Sequence, residues 1–260
     1  GEVAPGLIEA SQVSNELKEF NEIQLVQSPV AIIFDYESCW AWEIQPQGKD
    51  FSYFELVYDY YKALRSLGLS VDILSPNQKD LARYKIVLTP GLMHINKDLK
   101  AALESFEGTV ISGPRTGSKT LDMSIPNELP PQVPGIVGKV ARVESLRPNA
   151  LIPIINGGTF KCWMETLVDY DSVIESCDDG RPAVIGQKDR MYIAGWGNQE
   201  ALKRILKDAC IYQNITTIKL PDCVRVRETF SHRFWFNYSD SEKRIGATSL
   251  RPSGVLWEKL

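Results

Sequence analysis

The hydrophobic pattern opens with an unbroken apolar run over residues 30–34, long enough for one strand. A strand without polar alternation is covered on both faces, as in a parallel sheet. The rhythm then changes to three- and four-residue steps. Phe54, Val57, Tyr61, Leu64 and Leu67 mark one helix face, Ser52 and Glu55 have capping-box spacing, and Gly68 supplies the stop. Run and step repeat downstream: residues 71–74, 86–89 and 109–112 read as strands. A helix over 96–106 carries Leu99, Leu103 and Phe106 on one face before Gly108. Strands alternating with helices at this spacing predict right-handed βαβ crossovers and an α/β fold on a doubly wound, mostly parallel sheet.

From 125 to 153 the periodicity fails, because prolines 126, 130, 131, 134, 148 and 153 interrupt any regular element. An excursion of that length in a compact domain is functional or interfacial. Strands return at 172–176, 183–186 and 191–194, separated by turn-forming Asp178-Asp179-Gly180 and Lys188-Asp189, and a helix over 199–212 buries Leu202, Ile205, Leu206 and Ala209. The tail changes character. Val224 and Val226 alternate with Arg225 and Arg227, and Phe234-Trp235-Phe236 precedes a polar turn at 239–242, as in a hairpin. Residues from about 219 therefore read as a small antiparallel β module. Before the first strand, residues 7–24 form one amphipathic helix with Val13, Leu17 and Phe20 on one side and Ser11 or Ser14 as caps. It reads either as a connector from an upstream domain or as a helix packed on the sheet. The resulting division is a connector helix and linker over 1–28, an α/β domain over 29–216 and a small β domain over 217–260.

Composition narrows the partners. The chain has 260 residues, 43% hydrophobic and 24% charged, as in globular proteins, and its formal net charge of −4 with no long basic run argues against nucleic acid. No apolar run is long enough to cross a bilayer, and the first residues lack the charged and apolar segments of a signal peptide. Cysteines 39, 162, 177, 210 and 223 are scattered and form no CxxC pair, which suits reduced thiols in the cytoplasm and suggests neither zinc nor a disulfide framework. The start at Gly1, without an initiator Met, reads as a cut inside a longer polypeptide or a processed terminus.

Candidate chemistry gathers in the segment after the first strand. Asp35, Glu37, Cys39, Trp40, Trp42 and Glu43 read as a loop past the strand's carboxyl end, where open α/β sheets place ligand sites. Two of these acids, Asp35 and Glu37, are the kind of pair that acid and nucleophile roles need, but acids also cap turns there. The glycine-rich turn from Gly113 to Thr120 misses the phosphate-binding pattern, with three residues between its glycines and Ser118 before Lys119. The same turn resembles the nucleophile elbow of class I glutamine amidotransferases, whose flavodoxin-like fold this domain is expected to share. Aligned on Gly113 and Gly117, the nucleophile position holds Arg115, and the later segment 194–200 contains no His. Arginine cannot attack an acyl carbon, and no imidazole stands ready as base. With only His94 and His232 in the chain, a catalytic Cys–His pair would have to use one of them, as with Cys39 in this segment and His94 after a strand, whereas an isolated Cys is more often packed than reactive. The aromatics Trp40, Trp42, Tyr53, Tyr58, Tyr60 and Tyr61 either pack beneath the excursion or form the centre of a permanent interface.

Specific blocks of the chain resemble one family. FDYESCWAWEIQPQGKDFSYFELVYDYYKALRSLGLSVDIL, then YKIVLTPGLM, SGPRTGSKT, IPNELPP and RVESLRP in that order, are similar to the middle, trimerisation domain of glycoside hydrolase family 42 β-galactosidases. FWFNYSDSEKRI is similar to that family's short C-terminal β domain. In the family the catalytic glutamates lie on a (β/α)₈ barrel, which needs about 250 residues of its own, and no segment here reads as eight strand–helix units. The resemblance implies the non-catalytic assembly portion of a retaining β-galactosidase, with no catalytic residue, metal or cofactor in these residues. It implies a homotrimer, the catalytic barrel as a partner and a cytoplasmic location. Asp35, Glu37, Trp40, Trp42, Glu43 and Arg115 are then interface candidates. The alternative is a small-ligand or sugar-binding domain using the 35–43 loop and Arg115.

Overall fold

Helix α1 (Pro5–Leu17) stands first in the computed structural model, which describes residues 3–18 and 26–260. Pro5 in the first turn starts it, rather than Ser11 or Ser14, and none of its residues is buried. The described part of this helix therefore does not pack on the sheet; Phe20 lies outside the described residues.

Strand β1 (Val30–Ile33) is buried at all four positions, as its unbroken apolar run predicts. It pairs in parallel with β2 (Val71–Leu74) on one side and β3 (Ile86–Thr89) on the other, and β3 pairs in parallel with β4 (Thr109–Ser112). The chain thus runs outward from β1 to β2, returns across β1 to β3, and continues to β4. Between these strands lie α2 (Tyr36–Ile44), α3 (Tyr53–Ser66) and α4 (Lys97–Glu104). Ser52 caps α3 by accepting from the Glu55 amide, and Gly68 closes it with a φ of 82°. The buried stripe of α3 is Tyr53, Leu56, Val57, Tyr60, Ala63 and Leu64, rotated from the expected one; Phe54 faces solvent. Aromatic residues on nearly every turn blur the stripe when only the sequence is in view.

The proline-rich excursion is less irregular than expected, because it contains β5 (Lys139–Ser145) and ends at β6 (Ile152–Pro153). Strand β5 buries only Val140, so it shows no apolar alternation to read. It pairs with the ten-residue β7 (Thr159–Val168), which sequence periodicity also misses: Cys162 sits at a φ of 61°, and the two strands' register slips between Val140 and Arg142. Strands β8 (Val173–Ser176), β9 (Pro182–Gln187) and β10 (Arg190–Ile193) follow, then β11 (Gly195–Gly197) and α5 (Gln199–Tyr212). Strand β10 joins β4 in parallel and β9 and β8 add antiparallel, giving a seven-stranded order β2-β1-β3-β4-β10-β9-β8. A four-stranded antiparallel sheet of β11, β7, β5 and β6 lies beside it.

The tail is antiparallel as expected, with a different pairing. Strand β12 (Val224–Glu228) pairs with β13 (His232–Asn237), and β13 with β16 (Val255–Lys259), while β14 (Lys243–Ile245) and β15 (Thr248–Leu250) make a separate ribbon. The turn after β13 therefore closes no hairpin onto it. Val224, Val226, Trp235 and Leu250 form the tail's own core. Arg65 of α3 ties the tail to the larger unit by donating from its guanidinium to the Leu69 and Val226 carbonyls.

Asp59 holds the layers together from the middle of α3. It accepts from Lys62 (2.8 Å), Lys161 of β7 (2.9 Å), the Trp196 indole of β11 (2.9 Å) and the Gln199 amide of α5. Burial by itself raises its carboxyl, but the bonds from Lys62, Lys161 and Trp196 outweigh that and hold it below the ordinary 3.8. Because the folded value lies below the unfolded one, the stability this carboxylate confers is complete above the ordinary value and drains away as pH falls through the lower folded value. Asp59→Asn is expected to lower stability near pH 7 and to flatten the acid limb between about pH 5 and pH 2. Urea midpoints across that range check this; parallel curves for the two proteins would contradict it.

Candidate functional site

The segment after β1 is a helix, not the expected loop. Asp35 ends the strand and caps α2, its carboxylate accepting from the Glu37 amide (3.3 Å), the Ser38 amide (2.8 Å) and the Ser38 hydroxyl (2.6 Å). The buried side of α2 consists of Ser38 and Trp42, one polar and one apolar, which is why no helical stripe shows in the sequence. Ser38 Oγ also accepts from the Met93 amide, and the Trp42 indole donates to the Gly91 carbonyl at 3.2 Å, so α2 is pinned to the turn after β3. Gly91 permits that approach: its φ is 67°, and a Cβ there would stand 3.0 Å from Leu56 and Trp42.

Trp42 is fully buried and is not a surface residue; its ring stacks on Phe51 at 4.3 Å. Trp40, two residues earlier, is 57% exposed on the opposite side of α2. Glu37 and Glu43 are exposed as well. No paired-carboxylate chemistry arises here, since both Asp35 oxygens are occupied by the cap. Cys39 reaches Glu43 at 3.6 Å, and burial followed by the charge of Glu43 pushes its thiol pKa up, away from the thiolate form. His94 directs Nδ1 to the Lys119 carbonyl, and no Cys–His hydrogen bond forms among the described residues.

Arg115 occupies the turn after β4 with a φ of 67°, a left-handed conformation that costs about 1–2 kcal/mol outside glycine. Gly117, two residues on, also has a φ of 67°, and a Cβ there would meet the Gln132 amide at 2.6 Å. The Arg115 guanidinium lies over Trp42 (4.9 Å), Trp163 (5.2 Å) and Phe51 (5.4 Å), a three-sided aromatic box. Burial pulls its pKa below the ordinary value, with Glu165 acting the other way, and its Nη1 has no protein partner.

Beneath this box lies a group that sequence reasoning missed. Glu165 of β7 is buried and accepts from the Arg115 amide (2.9 Å), the Trp163 indole (3.0 Å) and the Tyr192 hydroxyl of β10 (2.6 Å). Burial raises its carboxyl, and the three donors pull it back without cancelling that effect. A charge inside the apolar string Cys162-Trp163-Met164-Glu165 was the available signal. The arrangement stitches β4, β7 and β10 together. A cleft of about 530 Å³ at the strand ends is walled by Phe34, Asp35, Tyr36, Glu37, Asn77 and His94, and Arg115 is not part of it. Arg115 meets the 35–43 segment through the Trp42 ring, while Asp35, Tyr36 and Glu37 line the cleft.

Residues 28–216 match the model of the β-galactosidase trimerisation domain. The chain belongs to that family. A β-galactosidase of Thermus thermophilus is 36% identical over 242 residues, covering 90% of this chain and 37% of the relative. The crystal structure of a β-galactosidase from the psychrophilic Marinomonas ef1 superposes with a TM-score of 0.92 at 31% identity, over 99% of this chain and 43% of that one. A polyextremophilic β-galactosidase from the haloarchaeon Halorubrum lacusprofundi gives 0.87 at 26% identity, over 98% and 43%. The chain thus spans well under half the length of the enzymes it matches.

On this trimerisation domain one surface is conspicuously aromatic. Trp40 and Tyr36 lie 6.2 Å apart, Tyr36 and Phe34 5.1 Å, Phe34 and Phe54 6.5 Å, Phe54 and Tyr58 6.0 Å, and Tyr58 and Tyr61 6.3 Å, all between ring centroids. Tyr36, Trp40, Phe54 and Tyr58 are exposed. This continuous run across α2 and α3 is the local feature the family assignment makes intelligible. Among the described residues no helix is long and apolar enough to cross a membrane.

Proposed function

We propose that this chain is the oligomerisation portion of a cytoplasmic β-galactosidase, that it assembles as a homotrimer, and that its enzyme acts on terminal β-galactosides through a separate catalytic barrel. The observation that carries the reading is the aromatic run from Trp40 to Tyr61, exposed at Tyr36, Trp40, Phe54 and Tyr58 and half-buried at Phe34 and Tyr61, in a domain whose family is one of trimerisation. Contiguous exposed rings on a folded surface mark association sites, and aromatic anchors dominate interface energetics. Five free cysteines agree with a reducing compartment. The enzymatic half of the proposal rests on the names of the relatives, and so does the substrate class.

Two finer readings belong with it. The first is that the domain descends from an amidotransferase-like fold. Arg115, held left-handed between Gly113 and Gly117 at the end of β4, supports this, as the strained position of an elbow whose nucleophile is absent. The second is the division at 1–28, 29–216 and 217–260, which the tail's separate small core supports.

The test is association of substituted chains. Tyr36→Ala with Trp40→Ala is expected to raise the dissociation constant at least about tenfold while the melting temperature of the dissociated chain, measured below the dissociation constant, stays unchanged, because both side chains are exposed in the single chain. Sedimentation velocity over a concentration series reads the first and calorimetry the second. Unaltered association with both rings gone would remove this surface from the interface.

A further inference from the structure

A second concave surface lies where α3 meets the outer face of the tail's three-stranded sheet. Strand β12 alternates: Val224 and Val226 point into the tail's core, so Arg225 and Arg227 point out. Across the strand pair Arg225 faces Phe236 and Arg227 faces Phe234. Together with Tyr61 and Arg65 of α3 and with Phe236 and Tyr238, the two arginines line a groove of about 520 Å³, the size of a small-ligand site. Three guanidinium groups line it, and no carboxylate does among the described residues.

Among the described residues these charges have no acidic partner. The acids of the same sheet, Glu228 and Glu258, are both taken by Arg233, at 2.6 and 3.2 Å. Neither Arg225 nor Arg227 makes an ion pair among the described residues; the one hydrogen bond from Arg225 goes to the Val224 carbonyl. Burial is the main cause that pulls Arg65 below its ordinary value; Tyr61 opposes it, and the charges of Arg227 and Arg225 add to the lowering. Yet arginine does not lose its proton in proteins, so the repulsion persists until an anion relieves it. That this happens on a chain of net charge −4 makes the concentration of positive charge a local feature. The walls add a second requirement. Tyr58, Tyr61, Phe236 and Tyr238 also line the groove, Tyr58 lying 6.3 Å from Tyr61 with Lys62 Nζ 4.8 Å over its ring, and Phe236 lying 6.2 Å from Tyr238. Aromatic walls take the apolar side of a ring compound.

We propose that this groove is a binding site for a small anionic ring compound, of the size of a monosaccharide bearing a phosphate or carboxylate. The anion sits between Arg225 and Arg227, with Arg65 behind them fixed by its bonds to the Leu69 and Val226 carbonyls. The ring lies against Tyr58 and Phe236. The groove shares Tyr58 and Tyr61 with the aromatic run proposed above as the interface, and it lies apart from Tyr36, Trp40 and the buried box around Arg115.

Isothermal titration of the full chain with glucose 6-phosphate, glucuronate, inorganic phosphate and neutral glucose tests this. Glucose 6-phosphate or glucuronate is expected to bind in the millimolar range or tighter, and whichever of the two binds more tightly identifies the anion. Inorganic phosphate should be at least about tenfold weaker, lacking the ring, and glucose should give no saturable heat. Arg225→Ala and Arg227→Ala should each weaken the better ligand about tenfold or more. Both side chains leave the tail's core, and an unchanged melting temperature verifies that the variants fold. Equal binding of glucose, no binding of either charged sugar up to about 10 mM, or insensitivity to both substitutions overturns the proposal. A short oligoglutamate peptide binding more tightly than either sugar would also overturn it, in favour of a surface that docks an acidic protein segment.

Discussion

Replacing Trp42 by alanine is expected to cost this fold about 3–5 kcal/mol, the range for removing a large buried aromatic, and to lower its melting temperature on the order of 10 °C. Trp42 has no exposed surface, stacks on Phe51 at 4.3 Å, packs beside Tyr53 and donates to the Gly91 carbonyl. Its loss opens a void between α2 and the turn after β3 and leaves a carbonyl without its partner. It also takes one wall from the box that holds the Arg115 guanidinium. Trp40→Ala, two positions away, should shift stability by less than about 0.5 kcal/mol, since that ring is mostly in solvent. The contrast separates core from surface within a single helix. Chemical denaturation of both variants measures it, and equal losses would mean that α2 is not docked as described.

The second large effect is expected at Glu165. Its carboxylate is the common acceptor for the Arg115 amide, the Trp163 indole and the Tyr192 hydroxyl, all beyond the reach of solvent at the carboxylate. A buried donor left unmade costs about 1–3 kcal/mol. With three donors stranded, Glu165→Ala should lose on the order of 4 kcal/mol or more. Glu165→Gln keeps one oxygen acceptor and the volume, and should lose about 1–2 kcal/mol. Urea unfolding midpoints rank the three proteins. If alanine and glutamine cost the same, the hydrogen bonds are not what holds β4, β7 and β10 together, and packing alone accounts for the junction.

What the sequence discloses follows from the physics of each element. Strands β1, β3 and β4 are buried on both faces, so their apolar runs are complete and their positions are readable from periodicity. Strand β5 is largely exposed and β7 is kinked at Cys162, so neither leaves an alternation to find. Helix α2 hides because its inward face is half polar: Ser38 is buried through hydrogen bonds to Asp35 and Met93, a condition no hydropathy pattern encodes. The candidate site divides in the same way. Chemical type marked out Arg115, Trp40 and Trp42, but only three-dimensional placement separates the buried ring from the exposed one. Glu165 and Asp59 went unread because a charge in an apolar stretch becomes significant only once its donors are known, and those donors come from strands and helices far along the chain. The tail's alternation of Val and Arg was legible, whereas the juxtaposition of its arginine face with α3 was not.

The central claim is that these residues assemble copies of the chain and perform no chemistry of their own. Sedimentation equilibrium of the 260-residue chain tests it most directly. The account predicts a species of three times the chain mass that dissociates on dilution, and more readily when Tyr36 and Trp40 are alanine. A mass equal to one chain at every concentration up to hundreds of micromolar would contradict it.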